Sequence, residues 1–230
     1  MRALLAAFAL LTVLPLGRAF APEDLKGASA FFPLVGYALG GLLALASLLP
    51  LPPGLLGALL LALWLALTGF LHLDGLLDTA DALLGAKPRE KRLAILKDPH
   101  LGAFAFGVGG LYLLLKGQAL ALLPEPLFLL LLPGFARFAF LPFLQRYPLA
   151  HQGMAALVRG GPLLPPFLLA LPFPILYPGP ALLAFLAAYG VARLALARIG
   201  GLTGDVLGAM VALSELAGLL GYALWSALRA

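Results

Sequence analysis

Long apolar runs, separated by short polar or proline-containing segments, set the pattern along this chain. A run of about 20 apolar residues is the length that crosses a bilayer as an α-helix. The pattern therefore predicts an all-α polytopic membrane bundle of about seven spans that forms a single domain over residues 1–230. We expect the spans near residues 30–50, 54–73, 101–123, 126–145, 163–178, 181–199 and 205–228.

Prolines and glycines punctuate these runs. The segments LPPG, PEP and PGP predict tight turns at 51–54, 124–126 and 178–180. The segment 163–178 is short and rich in proline, so its helix is expected to kink. Pairs of glycines four residues apart predict faces where helices pack closely, at Gly36 and Gly40 and at Gly204 and Gly208.

The first twenty residues admit two interpretations. Arg2, the apolar run 3–16 and the sequence AFA at 19–21 resemble a secretory signal with its cleavage site. The run is too short to span a bilayer comfortably. We therefore favour a short N-terminal helix that lies in the interface or tilts into the membrane.

The composition excludes a soluble globular protein. Hydrophobic residues make up 63% of the 230 positions, charged residues only 11%, and the mean hydropathy is +1.05, whereas soluble domains carry about 25% charged residues. The chain has no cysteine, which excludes disulfides and thiolate metal sites. It also has no asparagine and only three glutamines, a depletion expected of a thermophile or of a GC-rich genome.

The basic residues predict the orientation. Eleven of the fifteen lysines and arginines lie in four segments that the span assignment puts on one side: 17–30, 74–100, 146–162 and 192–204. None occurs in the opposite connections, at 51–53, 124–125 and 179–180. The positive-inside rule puts the charged side in the cytoplasm. The net charge of +5 then reflects loops against an anionic leaflet, and no nucleic-acid partner is expected.

The longest polar stretch, 74–100, begins with the aspartates Asp74, Asp78 and Asp81. Their spacing of i, i+4 and i+7 places the three carboxylates on one helical face, where like charges repel. A divalent cation would remove this conflict, and Mg²⁺ prefers such hard oxygen ligands. The alternative is a solvated helix end whose acids lie near the N-terminus.

Other polar residues near the expected span ends each allow two interpretations. Asp98 either caps a helix or takes part in catalysis. Asp205 follows the glycine-rich segment 200–204 and either caps the last span or lies beside bound phosphate. His72 is either a partner of the acid cluster or an interfacial side chain. The basic residues of 74–100 either attract a polyphosphate or face lipid headgroups.

Glu215 and Arg137 fall in the middle of predicted spans. An ionisable group at that depth is costly and is a functional candidate by default. The alternative is a structural ion pair between the two. In either case we expect both head groups to face the protein interior.

Several blocks follow one another in a known order. Residues 68–81 read TGFLHLDGLLDTAD, residues 96–102 read LKDPHLG, and residues 200–209 read GGLTGDVLGA. Shorter matching blocks lie at 11–15, 32–36 and 214–216. Together they resemble the cobalamin synthase family (adenosylcobinamide-GDP ribazoletransferases), whose main motifs are TGGFHxDGLADTxDG, M[KR]DSxxGT and GGxTGDTLGA. The resemblance covers about residues 8 to 217.

The resemblance implies a membrane enzyme that joins α-ribazole, or its 5′-phosphate, to adenosylcobinamide-GDP and releases GMP with the help of Mg²⁺. A ribose hydroxyl would attack the cobinamide-side phosphorus, while the aspartates hold one or two cations on the diphosphate. It also implies contact with lipid and an active site on the cytoplasmic side of the inner membrane, and it leaves a homo-oligomer open.

The candidate site residues, from the spacing, the charges and the resemblance together, fall into three groups. They are Asp74, Asp78 and Asp81 for the metal, Asp98, Asp205 and His72 for catalysis, and Lys97, Arg92, Arg137, Thr203, Gly204 and Glu215 for the substrate. The sequence departs from the family motifs at Ala82, Pro99, Ala103 and Ala212, where glycine, serine, threonine and glutamate are usual. These departures bear on substrate contacts near Pro99 and Ala103 rather than on the reaction.

Three other classes remain as alternatives. A CDP-alcohol phosphotransferase would share the Asp-Gly followed by acids, but its Ala-Arg pair after Asp-Gly-x-x is missing here. A membrane prenyltransferase would show two aspartate-rich loops, and one clear cluster occurs. A cation transporter would place its acids near the bilayer midplane, whereas most of those here are expected at the cytoplasmic edge.

Overall fold

The computed structural model describes residues 1–16, 19–122 and 125–228, so the predicted turn at 124–126 lies partly outside the described residues. Within these ranges the chain forms fourteen α-helices, a 3₁₀ turn at Ser29–Phe31 and one isolated bridge between Leu149 and Leu202, and no strand. The helices are α1 (Arg2–Leu11), α2 (Pro22–Ala28), α3 (Phe32–Ala46), α4 (Pro53–Leu67), α5 (Leu71–Leu83), α6 (Arg89–Ile95), α7 (Ala103–Ala121), α8 (Pro126–Ala139), α9 (Leu141–Arg146), α10 (Met154–Val158), α11 (Leu164–Ala170), α12 (Pro172–Leu176), α13 (Pro178–Ile199) and α14 (Gly204–Ala227).

The described part of the chain contains five helical stretches that are long and apolar enough to cross a membrane. They are Pro22–Ala46, Ala103–Ala121, Pro126–Arg146, Pro178–Ile199 and Gly204–Ala227. The helices α4 and α5 make a sixth if they form one bent span. This confirms the all-α polytopic fold. The segment 163–178, predicted as a single kinked span, forms two short helices in succession, α11 and α12, which are seven and five residues long and meet at Leu171.

Glycines bring α3 and α8 into backbone contact. A Cβ atom at Gly36 would overlap the backbone of Pro133 and Gly134, and one at Gly40 would lie 2.6 Å from the carbonyl oxygen of Leu129. Neither position has room for a side chain, which confirms the packing face predicted from this glycine pair. Close approach through small residues is typical of helix pairs in membranes, where apolar burial alone does not favour association.

The four basic segments meet at one end of the bundle. Arg89 Nε donates to the carbonyl oxygen of Ile199 at 2.9 Å, and the backbone N–H of Ala150 donates to Leu202 at 2.9 Å. A Cβ atom at Gly161 would lie 3.3 Å from the Ser29 Cβ, so the segments around these two residues also touch. These contacts confirm that segments 17–30, 74–100, 146–162 and 192–204 share one side.

An aromatic cluster lies at the opposite end. The Tyr177 hydroxyl donates to the Glu125 carboxylate, and the Tyr177 ring packs edge-on against Trp225 at 5.5 Å between centroids. Tyr222 packs against the same two rings. Tyrosine and tryptophan are enriched where a membrane protein meets the interface. The connection near 125 and the one near 178 are therefore neighbours, as the span order predicts.

The break between α4 and α5 has a left-handed backbone. The two helices meet at 88°, and the residues between them include Gly69 at φ 57° and Phe70 at φ 60°. Phe70 is the only non-glycine residue with positive φ in the described ranges. A side chain disfavours this conformation by about 1–2 kcal/mol. The family motif TGGF has glycine at this position, where the chain has phenylalanine.

We expect Phe70→Gly to relieve this backbone strain, because glycine adopts positive φ without a steric penalty. The matched control is Phe70→Ala, which also removes the exposed ring but keeps the Cβ atom. The glycine variant should be more stable than the alanine variant by about 1 kcal/mol, as measured by thermal unfolding in detergent. Equal stability of the two variants would show that the left-handed turn carries no strain.

Candidate active site

Two motif segments that are far apart in sequence meet where α5 crosses α14. A Cβ atom at Gly75 would lie 2.7 Å from the carbonyl oxygen of Asp205 and 3.1 Å from the Gly208 Cα. Only hydrogen fits in this space, so the two backbones touch. The crossing places the start of α14 beside the face of α5 that carries Asp74 and Asp78.

A cavity of about 200 Å³ lies beside this crossing. Its titratable lining consists of Asp74, His72, Asp205 and His151, and the rest of the wall is apolar side chains and glycine. Asp74 is exposed and Asp205 is half-buried, whereas His72 is buried. The two carboxylates therefore lie at the mouth of the cavity and His72 lies in its wall.

The carboxylates at the mouth form an uncompensated negative cluster. Asp78 is half-buried, and its charged neighbours are Asp74, Asp205 and Asp81. In the described ranges, no lysine or arginine forms an ion pair with any of these four acids. No three histidine or acidic side chains among the described residues converge enough to bind one ion by themselves. The site is therefore electrostatically suited to a cation that brings further ligands with it.

Asp81 has a different environment from the other two aspartates of α5. Its Oδ2 accepts the N–H of Gly102 at 2.6 Å, and its Oδ1 accepts the N–H of Ala105 at 3.0 Å. These donors belong to the first turn of α7, where backbone N–H groups have no partner within the helix. The carboxylate is 7% exposed and caps that helix. Both carboxylate oxygens of Asp81, which we predicted to bind metal, therefore accept backbone hydrogen bonds instead.

Arg92 is also engaged by backbone. The guanidinium is buried and donates to the carbonyl oxygens of Ala82 and Leu83 at 2.8 Å, and to those of Gly85 and Lys87 at 2.9 Å. The first two carbonyls end α5 and lack a helical partner. Arg92 therefore caps the C-terminal end of α5. We predicted that it contacts the substrate, but its guanidinium is buried against backbone carbonyls.

Asp98 and Lys97 lie outside the cavity lining, and both are exposed. Asp98 accepts the backbone N–H of His100 at 3.1 Å and contacts its Nδ1 at 2.6 Å. The hydrogen bonds from His100 hold the pKa of Asp98 below its usual value. Gly102, not Asp98, precedes the first residue of α7 as its N-cap. The helix-cap alternative for Asp98 is therefore wrong, and a catalytic role for Asp98 stays a prediction.

Thr203 is the N-cap of α14. Its Oγ1 accepts the N–H of Val206 at 3.3 Å and lies 3.4 Å from Asp205 Oδ2. The capping alternative predicted for Asp205 thus belongs to Thr203. Asp205 lies in the first turn of the helix, and its carboxylate is not the N-cap. It lies at the cavity mouth instead. Gly204 lines the same cavity, so the predicted residues Thr203, Gly204 and Asp205 remain together.

Glu215 and Arg137 form the ion pair that we named as one alternative. Glu215 Oε1 lies 3.1 Å from Arg137 Nη1, and its Oε2 lies 2.7 Å from Lys116 Nζ. The three side chains are at most 1% exposed, which confirms that they face the interior. Lys116 also contacts the Tyr112 hydroxyl at 2.8 Å and lies 3.9 Å from the centre of the Trp64 ring. None of the three charged residues lines the cavity.

Lys116 was not among the residues predicted from the sequence, and His151 was given no role. The signal for Lys116 was present, because a lysine inside the predicted span 101–123 falls under the rule applied to Glu215 and Arg137. His151 carries no motif. It reaches the cavity because the bridge between Leu149 and Leu202 fixes the loop before α10 next to the start of α14.

The comparisons with known proteins agree with one another. A family model described as cobalamin-5-phosphate synthase matches residues 3–223. The chain belongs to the cobalamin-5-phosphate synthase family. It is 46% identical over 236 residues to an adenosylcobinamide-GDP ribazoletransferase of Deinococcus radiodurans, covering 97% of this chain and 86% of that protein. Proteins of the same name from Desulfitobacterium hafniense and Pseudomonas aeruginosa are 41% and 42% identical over at least 96% of both chains. No solved structure matches the chain.

Membership in the cobalamin-5-phosphate synthase family confirms the resemblance drawn from the sequence blocks. The two longest blocks, 68–81 and 200–209, contain the glycines that touch where α5 crosses α14. The crossing is therefore built from residues of the family motifs. These two motifs therefore meet at one place in the fold.

Proposed function

We propose that this member of the cobalamin-5-phosphate synthase family is an adenosylcobinamide-GDP ribazoletransferase. It joins α-ribazole, or its 5′-phosphate, to adenosylcobinamide-GDP and releases GMP. One observation supports this proposal most directly. Asp74 and Asp205 line the same cavity, because Gly75 and Gly208 let α5 and α14 come into contact. The names of relatives that align with at least 96% of this chain support the same reaction.

The donor set at the cavity mouth fits Mg²⁺. The carboxylates of Asp74, Asp78 and Asp205 are hard oxygen ligands with no basic partner in the described ranges. Mg²⁺ usually takes one or two carboxylates and fills its remaining positions with water and substrate phosphate. The lack of three converging side chains is compatible with that mode. We therefore assign the ion to Asp74 and Asp205, which both line the cavity, with Asp78 as a neighbouring negative charge and Asp81 as the cap of α7.

The reaction needs positioning and charge neutralisation more than covalent help from the protein. A ribose hydroxyl oxygen forms a bond to the cobinamide-side phosphorus, the bond from that phosphorus to the GMP oxygen breaks, and the hydroxyl proton passes to a carboxylate at the mouth. A bound Mg²⁺ supplies neutralisation of the diphosphate charge.

The test of this function is GMP release by the purified protein. We expect GMP to form when adenosylcobinamide-GDP, α-ribazole and Mg²⁺ are all present, and not when the nucleoside or the metal is left out. Release of CMP from a CDP-alcohol, or metal flux through reconstituted vesicles without GMP formation, would instead favour the phosphotransferase or the transporter. The position of the acids argues against a transporter, because Asp74 is exposed at the mouth rather than at mid-span.

The end of the bundle that carries the basic segments is proposed to face the cytoplasm, where both nucleotide substrates are soluble. The chain contains no cysteine, so single-cysteine labelling has no background. We expect Lys91→Cys to react with an impermeant maleimide only after the cells are opened, and Gly179→Cys to react from outside. Both positions are exposed, and a side chain at 179 meets nothing closer than Trp225 at 4.0 Å. The reverse labelling pattern would invert the orientation.

A further inference from the structure

The cavity at the active site has two chemically different ends. Asp74 and Asp205 occupy the mouth, while Phe32, Phe140 and Val211 in its walls are at most 4% exposed. Val211 lies six residues after Asp205 along α14, a rise of about 9 Å. The cavity therefore runs from a negative mouth to an apolar floor, and only the mouth is suited to phosphate chemistry.

The size of the cavity limits what fills it. A cavity of about 150 Å³ lined by apolar side chains holds one benzene ring. The cavity here is about 200 Å³, which is room for a bicyclic ring system, whereas most of a corrinoid or a whole nucleotide would have to extend outside it. Two wall residues are aromatic, with the Phe32 and Phe140 rings 6.1 Å apart and tilted by 41°. Such faces favour a flat aromatic guest.

The wall also distinguishes between the two bases in the proposed reaction. Guanine carries several polar groups on its edges, and burying each without a partner costs about 1–3 kcal/mol. Only Asp74, Asp205, His72 and His151 bring polar side-chain atoms to the lining, and the remaining wall side chains, including Phe32, Phe140 and Val211, offer guanine no donor or acceptor. The dimethylbenzimidazole base of α-ribazole has methyl groups on its outer edge and no exocyclic polar group, so it loses little on entering.

We propose that this cavity binds the benzimidazole base of the nucleoside acceptor and directs the attached ribose to Asp74 and Asp205. The inference rests on the proposed function and adds the subsite that selects the nucleoside. The short helix α10 covers the cavity through Met154, Ala155 and Val158, and the N-terminal helix α1 covers it through Leu10 and Leu11. These two elements thus become determinants of base specificity.

Neighbouring alanines on α10 provide a matched test. Ala155 is 3% exposed and lines the cavity, whereas Ala156 is half-buried and does not. We expect Ala155→Leu to raise the KM for α-ribazole about tenfold or more, because pocket contacts of one to a few methyl groups change recognition by that amount. The KM for adenosylcobinamide-GDP should not change. Ala156→Leu should leave both constants near their original values.

A smaller acceptor and a second variant sharpen the result. The unmethylated benzimidazole nucleoside should be less affected by Ala155→Leu than the dimethylated one. If Ala155→Leu does not accumulate as folded protein, Val158→Ala tests the same wall by enlarging it. That variant should lower the preference, measured as the ratio of kcat/KM values, for the dimethylated over the unmethylated nucleoside.

Direct binding separates this inference from the proposed function. Equilibrium dialysis of radiolabelled α-ribazole against the full-length protein should show weaker binding to Ala155→Leu than to Ala156→Leu. Equal binding, in a protein that still releases GMP, would overturn the cavity assignment and leave the reaction standing. Equal increases in both KM values would show that the cavity does not select the nucleoside and would also overturn the assignment. Absence of GMP release from the unaltered protein would remove the proposed function itself.

Discussion

Asp74→Asn and Asp205→Asn are each expected to lower Mg²⁺-dependent GMP release by about 10²-fold or more, the effect typical of losing one charged or polar contact to a transition state. Asparagine keeps the shape of the side chain but removes the negative charge that neutral ligands cannot replace on Mg²⁺. Both residues line the cavity mouth. Removing either charge also reduces repulsion within the acid cluster, so thermal stability without metal should stay level or rise.

Two control variants separate a loss of catalysis from a general loss of charge or of stability. Glu90→Gln removes one negative charge from the exposed surface of α6 and should leave GMP release unchanged. Asp81→Ala should lower stability instead, because loss of a helix cap costs about 0.5–2 kcal/mol. The measurements are initial rates of GMP release across Mg²⁺ concentrations and thermal unfolding without metal. Near-normal turnover in both the Asp74 and Asp205 variants would refute the metal assignment.

Glu215→Gln is expected to destabilise the protein by about 3–5 kcal/mol, the usual result of removing one partner from a buried ion pair. The change leaves Lys116 and Arg137 as two buried cations without a counter-charge. Two further Arg137 nitrogens, Nε and Nη2, already have no hydrogen-bond partner in the described ranges, so the site has no spare acceptor. Unfolding in a graded series of denaturing detergent measures this loss.

A neighbouring residue supplies the control for the buried cluster. Ser214 Oγ donates to the carbonyl oxygen of Ala184 at 2.8 Å, so Ser214→Ala removes one neutral hydrogen bond at the same depth. That loss should cost only about 1 kcal/mol. A triple variant, with Lys116, Arg137 and Glu215 all replaced by apolar residues, should recover much of the stability lost in Glu215→Gln. If Glu215→Gln instead keeps full stability and loses activity, Glu215 acts on the substrate as the family resemblance implied.

The features that sequence analysis predicted correctly depend on local pattern. Apolar runs and proline turns gave the helical membrane class, and the uneven distribution of basic residues gave the common end that Arg89 and Ile199 now join. The glycine spacing gave the packing of α3 on α8. The pairing of Glu215 with Arg137 was also foreseeable, because two buried charges of opposite sign in one bundle have few alternatives.

The features that it missed depend on contacts distant in sequence. Helical spacing put Asp74, Asp78 and Asp81 on one face, but it could not show that Asp81 meets the first turn of α7. Nor could it show that Asp205 takes a place beside Asp74, since that follows from the crossing of α5 and α14. The end of α4 was set six residues too late by the prediction, because hydropathy alone does not show that Phe70 adopts a glycine-like backbone.

Arg89 and the carbonyl that it caps are 110 residues apart in the chain. During synthesis, the segment that follows α5 therefore leaves the ribosome long before its acceptor at the end of α13. Arg89 is one of the basic residues expected to fix the orientation of the early helices. Its contact with Ile199 can form only after the next-to-last helix has been synthesised. The charged end of the bundle is thus assembled last, and the proposed catalytic mouth is complete only after nearly the whole protein has been synthesised.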